Sequence, residues 1–325
     1  MIQISIYSHG EKLLLNSGNF FHSPDFFYIA ERVVGMTPYM AVAATEHGKE
    51  MGHLLAIVYH RCSPLPPFFY TQARIYGEGT YASELSSNEK EDIFGKLLHQ
   101  IMQRLRHKLC LMVELSDLST KMFGYRHFRH EGFFPIHWQE IHNSLHSMAP
   151  EKRISPHLAQ QIKRAYKAGI ETREVSNMEE VTSFYRLLRS HFRIKLRHIP
   201  PQLQLFKELY NIGRARFFIT LYQGKQIGGC VCVYSEGNAY LWYLASQRKR
   251  YAYLHPNTVT VWQAIKYAYR HNYAHMCFMD VGLPWKQNPF RHFILKFGGK
   301  PIGKYRWFRV NIGWVNRLFS WLYRE

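Results

Sequence analysis

The sequence predicts a mixed α/β fold built from two similarly ordered halves, and three observations predict it. Between Arg214 and Arg309, strand-type and helix-type apolar runs alternate in a definite order. The first half carries a fainter copy of that order. Two short stretches also recur at matching points. Glu46-His47-Gly48-Lys49-Glu50-Met51-Gly52 parallels Tyr222-Gln223-Gly224-Lys225-Gln226-Ile227-Gly228, and Gly132-Phe133-Phe134-Pro135-Ile136 parallels Gly298-Gly299-Lys300-Pro301-Ile302. Gly-Lys hairpins are common, so turn chemistry alone could coincide. The matched order of elements favours duplication.

Taken in order, Phe21–Val33 reads as a turn and a short helix, with Ser23 as N-cap and Pro24 at the first helical position. Met40–His60 is two apolar runs around His47-Gly48-Lys49, a hairpin signal. In ARIYGEGTY, Gly77 and Gly79 allow a bend or a close backbone approach. Asn88–Leu109 is an amphipathic helix, acidic at its start and basic at its end, as the helix dipole prefers. Cys110–Leu118 is a buried strand.

The second half opens with a capped helix at Ser155–Gly169, bearing Lys163, Arg164 and Lys167, and a strand over GIETREV. Two helices follow, Asn177–Phe192 with Asn177 as cap and Pro200–Gly213 between its proline and its glycine. Next come two hairpin strands, a third strand, a break at Ser246–Asn257, a helix, a buried strand HMCFMD, a short helix and a last strand. The pattern restarts near Pro150–Ser155 without a low-complexity linker. The expected domains are therefore 1–150 and 151–325.

Bulk properties bound the rest. A chain of 325 residues, 46% hydrophobic and 16% aromatic, fills real cores and is not disordered. A formal charge of +19 attracts nucleic acid, anionic lipid headgroups or phosphorylated substrates, unless it is a basic balance without functional use. Of the cysteines, Cys110, Cys230, Cys232 and Cys277 lie in or beside apolar runs, and Cys62 does not. Their odd number points to buried free thiols in a reducing compartment. Cys230-x-Cys232 is not a zinc spacing and the histidines show no ligand motif, so no metal is expected. The N-terminus lacks a cationic region ahead of a long apolar one, so no signal peptide is expected, and no apolar run is long enough to span a bilayer. A cytoplasmic protein is the expectation.

Three strings in the second half carry a resemblance: HPNTVTVWQAIKYAYRHNY, MDVG and LKFGGKP. They are similar to the Fem family of peptidoglycan-bridge aminoacyltransferases and to FemAB-like acyltransferases of the GNAT superfamily. The family pattern is a Pro-Asn entering a helix with an inward Trp, an Asp-x-Gly after the buried strand, and a Lys before Phe-Gly-Gly. FHSPDFF and RIYGEG in the first half fit as well, so the resemblance covers nearly the whole chain. It implies tandem GNAT-like (acyl-CoA N-acyltransferase) domains with mixed central sheets flanked by helices. The domain over 1–150 would be the acceptor side and the one over 151–325 would carry the donor site.

One departure bears on the donor. GNAT enzymes place an Arg/Gln-x-x-Gly-x-Gly/Ala loop after the third strand to cradle the pyrophosphate of acetyl-CoA. Here that stretch is SQRKRYAYLHPN, without a glycine to let backbone N–H groups close on phosphate. The Fem branch shares that loss and uses aminoacyl-tRNA. The resemblance thus implies no tightly bound cofactor and an anionic donor substrate, either aminoacyl-tRNA or acyl-CoA. Its acceptor would be an amine on a lipid-linked cell-envelope precursor or an amino sugar.

The candidate residues follow. Arg248, Lys249 and Arg250, between a strand and a helix start, would bind donor phosphate through their side chains, or else form a solvated loop. Asn257 at the helix start reads first as a cap and second as a substrate contact. Lys296, to which the resemblance lends weight, would stabilise the oxyanion formed when an amine attacks an ester or thioester; the alternative is a lysine snorkelling outward. Asp280 would orient or deprotonate the acceptor amine, or cap the loop ahead of Pro284. Tyr243 would protonate a leaving group, or fill the core with its hydroxyl satisfied.

The stretch 311–325 is amphipathic: Trp314, Val315, Leu318, Phe319 and Leu322 share a face, with Arg317 and Arg324 off it. It reads first as a helix docked on the protein's own core and second as a peripheral contact with the inner face of a membrane. An enzyme transferring acyl or aminoacyl groups to an amine is the predicted function. An acyl-CoA-dependent N-acetyltransferase, a non-catalytic nucleic-acid-binding protein and a degenerate structural pair are the alternatives.

Overall fold

The computed structural model of the chain describes residues 2–10, 13, 15, 18–62, 68–116, 123–192, 201–279 and 281–323. Its elements are β1 (Ile2–Tyr7), α1 (Pro24–Arg32), β2 (Met36–Thr45), β3 (Glu50–Cys62), β4 (Phe69–Tyr76), β5 (Thr80–Tyr81), α2 (Ser87–His107), β6 (Met112–Ser116), α3 (Tyr125–His130) and β7 (Phe134–Ser144). They continue with α4 (Pro156–Lys167), β8 (Ile170–Glu174), α5 (Met178–Phe192), α6 (Leu203–Asn211), β9 (Ala215–Tyr222), β10 (Lys225–Ser235), β11 (Asn238–Ser246), α7 (Pro256–Arg270), β12 (His275–Phe278), α8 (Pro289–Leu295), β13 (Lys300–Val310) and α9 (Gly313–Leu322).

The local signals act as their chemistry requires. The Ser23 hydroxyl accepts from the Phe26 N–H at 3.2 Å and Pro24 sits in the first turn of α1. Asn177 Oδ1 accepts from the Glu180 N–H at 3.0 Å to start α5. The strand expected over Cys110–Leu118 runs over Met112–Ser116, with its last two residues outside those described. The helix expected over Pro200–Gly213 runs over Leu203–Asn211, and Pro200 lies outside the described residues.

The chain forms two compact units, residues 1–138 with 304–325, and residues 139–303. This differs from the expected division at 150/151 because the last strand of each sheet comes from the other half of the sequence. In the first unit the order is β1-β2-β3-β4-β6-β13, antiparallel except for the β4/β6 pair. In the second unit it is β8-β9-β10-β11-β12-β7, antiparallel except for β11/β12.

The copies agree in detail. In each hairpin one residue bulges, Met51 between Ala43↔Gly52 and Ala44↔Glu50, and Ile227 between Leu221↔Gln226 and Thr220↔Gly228. Each bulged carbonyl accepts a hydrogen bond from the residue after the third strand, Ala82 N–H to Met51 O at 3.0 Å and Gln247 N–H to Ile227 O at 2.9 Å. These are the positions the sequence repeat aligns.

In the first unit α2 lays Ile93, Leu97, Leu98 and Ile101 on Ala73, Ile75, Val113 and Leu115, with Trp307 of β13 in the same core. In the second, α7 packs Val261, Trp262 and Ile265 on Phe218, Cys230, Cys232 and Leu241. The other face of that sheet takes Phe184 of α5 and Phe206 of α6 against Phe217. Cys110, Cys230, Cys232 and Cys277 are buried free thiols. Among the described residues no helix is long and apolar enough to cross a membrane.

Candidate functional site

The site is built where β11 and β12 part. These parallel strands pair from Asn238↔His275 to Leu241↔Phe278; there β12 ends, while β11 continues to Ser246. Ligands of open α/β sheets bind outside such carboxyl ends. Beyond Ser246 the chain turns tightly, the Arg250 and Tyr251 N–H groups both donating to Gln247 O at 3.1 Å. Arg248, Lys249 and Arg250 are exposed on this turn, and the Arg250 guanidinium lies 5.6 Å from the Tyr251 ring.

A short 3-10 turn, Ala252–Leu254, leads to His255 and Pro256 at the start of α7. Asn257 does not cap this helix, as the sequence had suggested. The cap position belongs to His255, because Pro256 fixes the first helical residue. His255 holds a left-handed backbone, φ 47°, strained for a residue with a Cβ, and its side chain makes no capping bond. Asn257 Oδ1 is buried and has no hydrogen-bond partner among the described residues. The helix start is fixed to the sheet by Thr260, whose hydroxyl donates to Pro256 O at 2.7 Å and meets Thr220 Oγ1 at 2.6 Å. Gly228 permits that approach, since a Cβ there would lie 2.8 Å from Thr260 Oγ1.

Lys296 ends α8 and is exposed. The Phe-Gly-Gly after it determines where it sits. Phe297 is buried and its carbonyl accepts from Asn143 Nδ2 at 2.8 Å. Gly298 has φ 82°, and a Cβ on it would meet Arg153 O at 2.7 Å. The Lys296 charge reaches His255. The imidazole of His255 is held below its ordinary pKa by burial first, then by the charges of His157 and Lys296. The positive end of α7 thus carries a neutral imidazole, with the Lys296 charge acting on it.

Asp280 lies outside the described residues. The loop that follows it is held by two side chains the sequence reading passed over. Asn288 donates from Nδ2 to Val281 O at 2.8 Å and caps α8 through Oδ1. Arg291 is buried and donates to Leu283 O and Pro284 O, both at 3.1 Å. Tyr243 is half-buried, its ring edge-on to Phe206 at 5.1 Å, on the α6 side of the sheet rather than the side that α7 covers. The structure therefore brings Lys296 and Asn257 to the start of α7, puts the 248–250 turn just ahead of it in the chain, and leaves Tyr243 on the opposite face. His255 was missed because an imidazole before a proline has no sequence signal of its own.

The duplicate in the first unit provides an internal control. Its equivalent helix, α2, starts with a complete capping box: Ser86 Oγ accepts from the Glu89 N–H, and Glu89 Oε2 accepts from the Ser86 N–H at 2.9 Å. Glu84, on the turn ahead, is ion-paired with Lys49. That helix N-terminus is closed by the protein's own carboxylate, whereas the start of α7 has no side-chain cap.

Comparison with known proteins agrees with this fold. Residues 152–287 match the family model of an acetyltransferase (GNAT) domain. No curated protein matches the chain in sequence. Among solved structures, FemX is similar with a TM-score of 0.63 at 12% identity, covering 88% of this chain and 91% of that one. A tandem GNAT protein from the clavulanic acid biosynthesis pathway gives 0.56 at 12% identity, covering 88% and 87%. L-PGS from Bacillus licheniformis gives 0.56 at 11% identity, covering 88% and 90%. Residues 152–287 therefore match an acetyltransferase (GNAT) domain, and the chain resembles FemX and the tandem GNAT protein in fold, at low sequence identity.

Proposed function

We propose that the protein transfers an acyl or aminoacyl group from an activated ester or thioester to an amine, and that the second unit holds the donor. The observation that carries this reading is the contrast between the two helix starts. The start of α2 is closed by Glu89, and the start of α7 is uncapped and edged by Lys296 and the Arg248–Arg250 turn. An anionic donor, aminoacyl-tRNA or acyl-CoA, would place phosphate against the positive end of α7 and the basic turn. The first unit, with its closed helix, is assigned to the acceptor side.

In the reaction the acceptor nitrogen attacks the donor carbonyl, the carbonyl oxygen takes the developing negative charge, and the ester C–O or thioester C–S bond then breaks. Lys296 stabilises the oxyanion. The proton lost by the amine goes to a base, for which the carboxylate of Asp280 and the neutral imidazole of His255 are the candidates, and the leaving oxygen or sulfur is protonated in turn. The protonated base returns that proton to the leaving group; Tyr243, on the opposite face of the sheet against Phe206, is not assigned the role. An amine on a cell-envelope precursor or an amino sugar is the proposed acceptor.

The test is donor binding by the whole protein, read as a shift in melting temperature with acetyl-CoA and with aminoacyl-tRNA, and by mass spectrometry of what co-purifies. One of the donors should raise the melting temperature, and Arg248→Ala/Lys249→Ala/Arg250→Ala should abolish the shift. Binding unchanged in that variant would reject the site. Tight RNA binding without turnover that survives Lys296→Ala and Asp280→Ala would favour a nucleic-acid-binding protein instead.

A further inference from the structure

The C-terminal helix α9 is held to the first unit by one side only. Asn316 donates from Nδ2 to Gly132 O at 2.9 Å and accepts from the Val310 N–H at 2.9 Å. Phe319 stacks on Phe134 with ring centroids 6.1 Å apart, and Val315 and Phe319 line a shallow apolar groove of about 230 Å³ with Tyr70, Leu111 and Met112. No residue of α9 is buried by this contact. Trp314, Leu318, Trp321 and Leu322, at helical spacing along another face, are 69%, 52%, 64% and 60% exposed.

Two further apolar side chains of the first unit are exposed. Leu109 is 87% exposed and Phe69 79%. Leu109 is tied to the same edge, since its carbonyl accepts from Thr71 Oγ1 at 3.3 Å, and the Asn311 N–H donates to Leu111 O at 2.8 Å. It ends α2 with a left-handed φ of 52°, where a glycine would be unstrained. Neither the strain nor the exposure stabilises the fold.

The charge around this face has one sign. Between residues 304 and 323 the chain has no acidic residue; Lys304 and Arg306 are buried, and Arg306 and Arg309 are ion-paired with Glu114 and Glu131, so the exposed charge of this stretch is Arg317. Arg317 lies on α9, Lys108 precedes Leu109, and exposed Arg129 and His130 lie next to the segment that Asn316 grips. Glu131, the acid there, is buried and bound by Arg106 and Arg309. A second copy of a chain with charge +19 would bring like charge against like. Two tryptophans and two leucines rimmed by arginine and lysine fit a surface that is apolar inside and anionic at its edge.

We propose that α9 docks the protein on an anionic phospholipid surface, with Trp314, Leu318, Trp321 and Leu322 at the headgroup–acyl boundary and Arg317 and Lys108 among the phosphates. The proposal needs no donor or acceptor, so its test is independent of the acyl-transfer reading. The full chain would be sedimented with phosphatidylcholine vesicles and with vesicles containing about 30% phosphatidylglycerol. Binding is expected to the anionic vesicles, with a blue-shifted tryptophan emission, and to weaken as salt is raised.

Trp314→Ser/Leu318→Ser/Trp321→Ser should reduce partitioning at least about tenfold with the melting temperature unchanged, because these side chains are exposed. Arg317→Glu should weaken binding to the anionic vesicles selectively. Binding that is absent in the native chain, or equal in the triple variant, overturns the proposal. A concentration-dependent dimer abolished by the same triple substitution also overturns it, by making a second copy the occupant.

Discussion

His22 is fully buried, and its Nδ1 accepts from the Leu55 N–H at 3.0 Å, so its proton resides on Nε2. Burial first, and then the charge of His53, lowers its pKa from 6.5 to about 3. The unfolded chain takes up this proton below pH 6.5 while the folded one does not until about pH 3. Stability should therefore fall as pH drops through that window, at up to about 1.4 kcal/mol per pH unit for this one group. Urea unfolding at a series of pH values checks it, and His22→Gln should show a shallower slope despite lower stability at neutral pH. At the site, His255→Gly would relieve the left-handed backbone and raise stability by up to about 1 kcal/mol. It would also remove the imidazole, so a higher melting temperature with lower turnover is expected. Lys296→Ala should lower kcat at least about tenfold without changing the melting temperature, because the side chain is exposed.

At the scale of elements, substitution in the Phe-Gly-Gly turn between α8 and β13 is costly. A Cβ at Gly298 would meet Arg153 O at 2.7 Å, with φ 82°, and one at Gly299 would meet Ile141 Cγ2 at 2.5 Å. Gly298→Ala should destabilise the second unit by about 2 kcal/mol or more, measured by chemical denaturation, and displace Lys296 with it. The capping box of α2 makes a milder comparison. Ser86→Ala should cost about 1 kcal/mol and leave donor binding untouched, because that helix start takes no part in the donor site.

At the scale of the whole molecule, the exchange of last strands governs how the chain can be divided. Trp307 of β13 is buried in the first unit's core, and β7 completes the second unit's sheet at β12. A fragment of residues 1–150 would lack β13 and display an unsatisfied β6 edge, and a fragment of 151–325 would lack β7. Neither fragment should give a cooperative unfolding transition alone, and co-expression of the two should restore one. A fragment that melts cooperatively by itself would reject this account.

Much of this was legible in the residues. The hairpins around Gly48 and Gly224, the caps at Ser23 and Asn177 and the buried face of α2 are local chemistry, decided within a few residues by turn geometry, capping oxygens and apolar periodicity. The repeat was legible too, because the bulged residues Met51 and Ile227 fall where the two copies align. Of the site, Lys296 and the 248–250 turn stood out, as a lysine before Phe-Gly-Gly and as a run of charge.

What only the tertiary structure decided depends on partners distant in sequence. His255 is held neutral by burial first, and then by the charges of His157 on α4 and Lys296 at the end of α8. The unit boundary falls at residues 138 and 304 because backbone hydrogen bonding joins β13 to β6 and β7 to β12, a choice that strand patterns alone do not encode. The apolar face of α9 is decided the same way. Its stripe is visible in the residues, but only packing shows that Val315 and Phe319 occupy the groove while Trp314 and Trp321 face outward. By itself the sequence determined the elements and their duplication, through short-range sterics and periodicity; the tertiary structure decided which charges meet and which surfaces stay open.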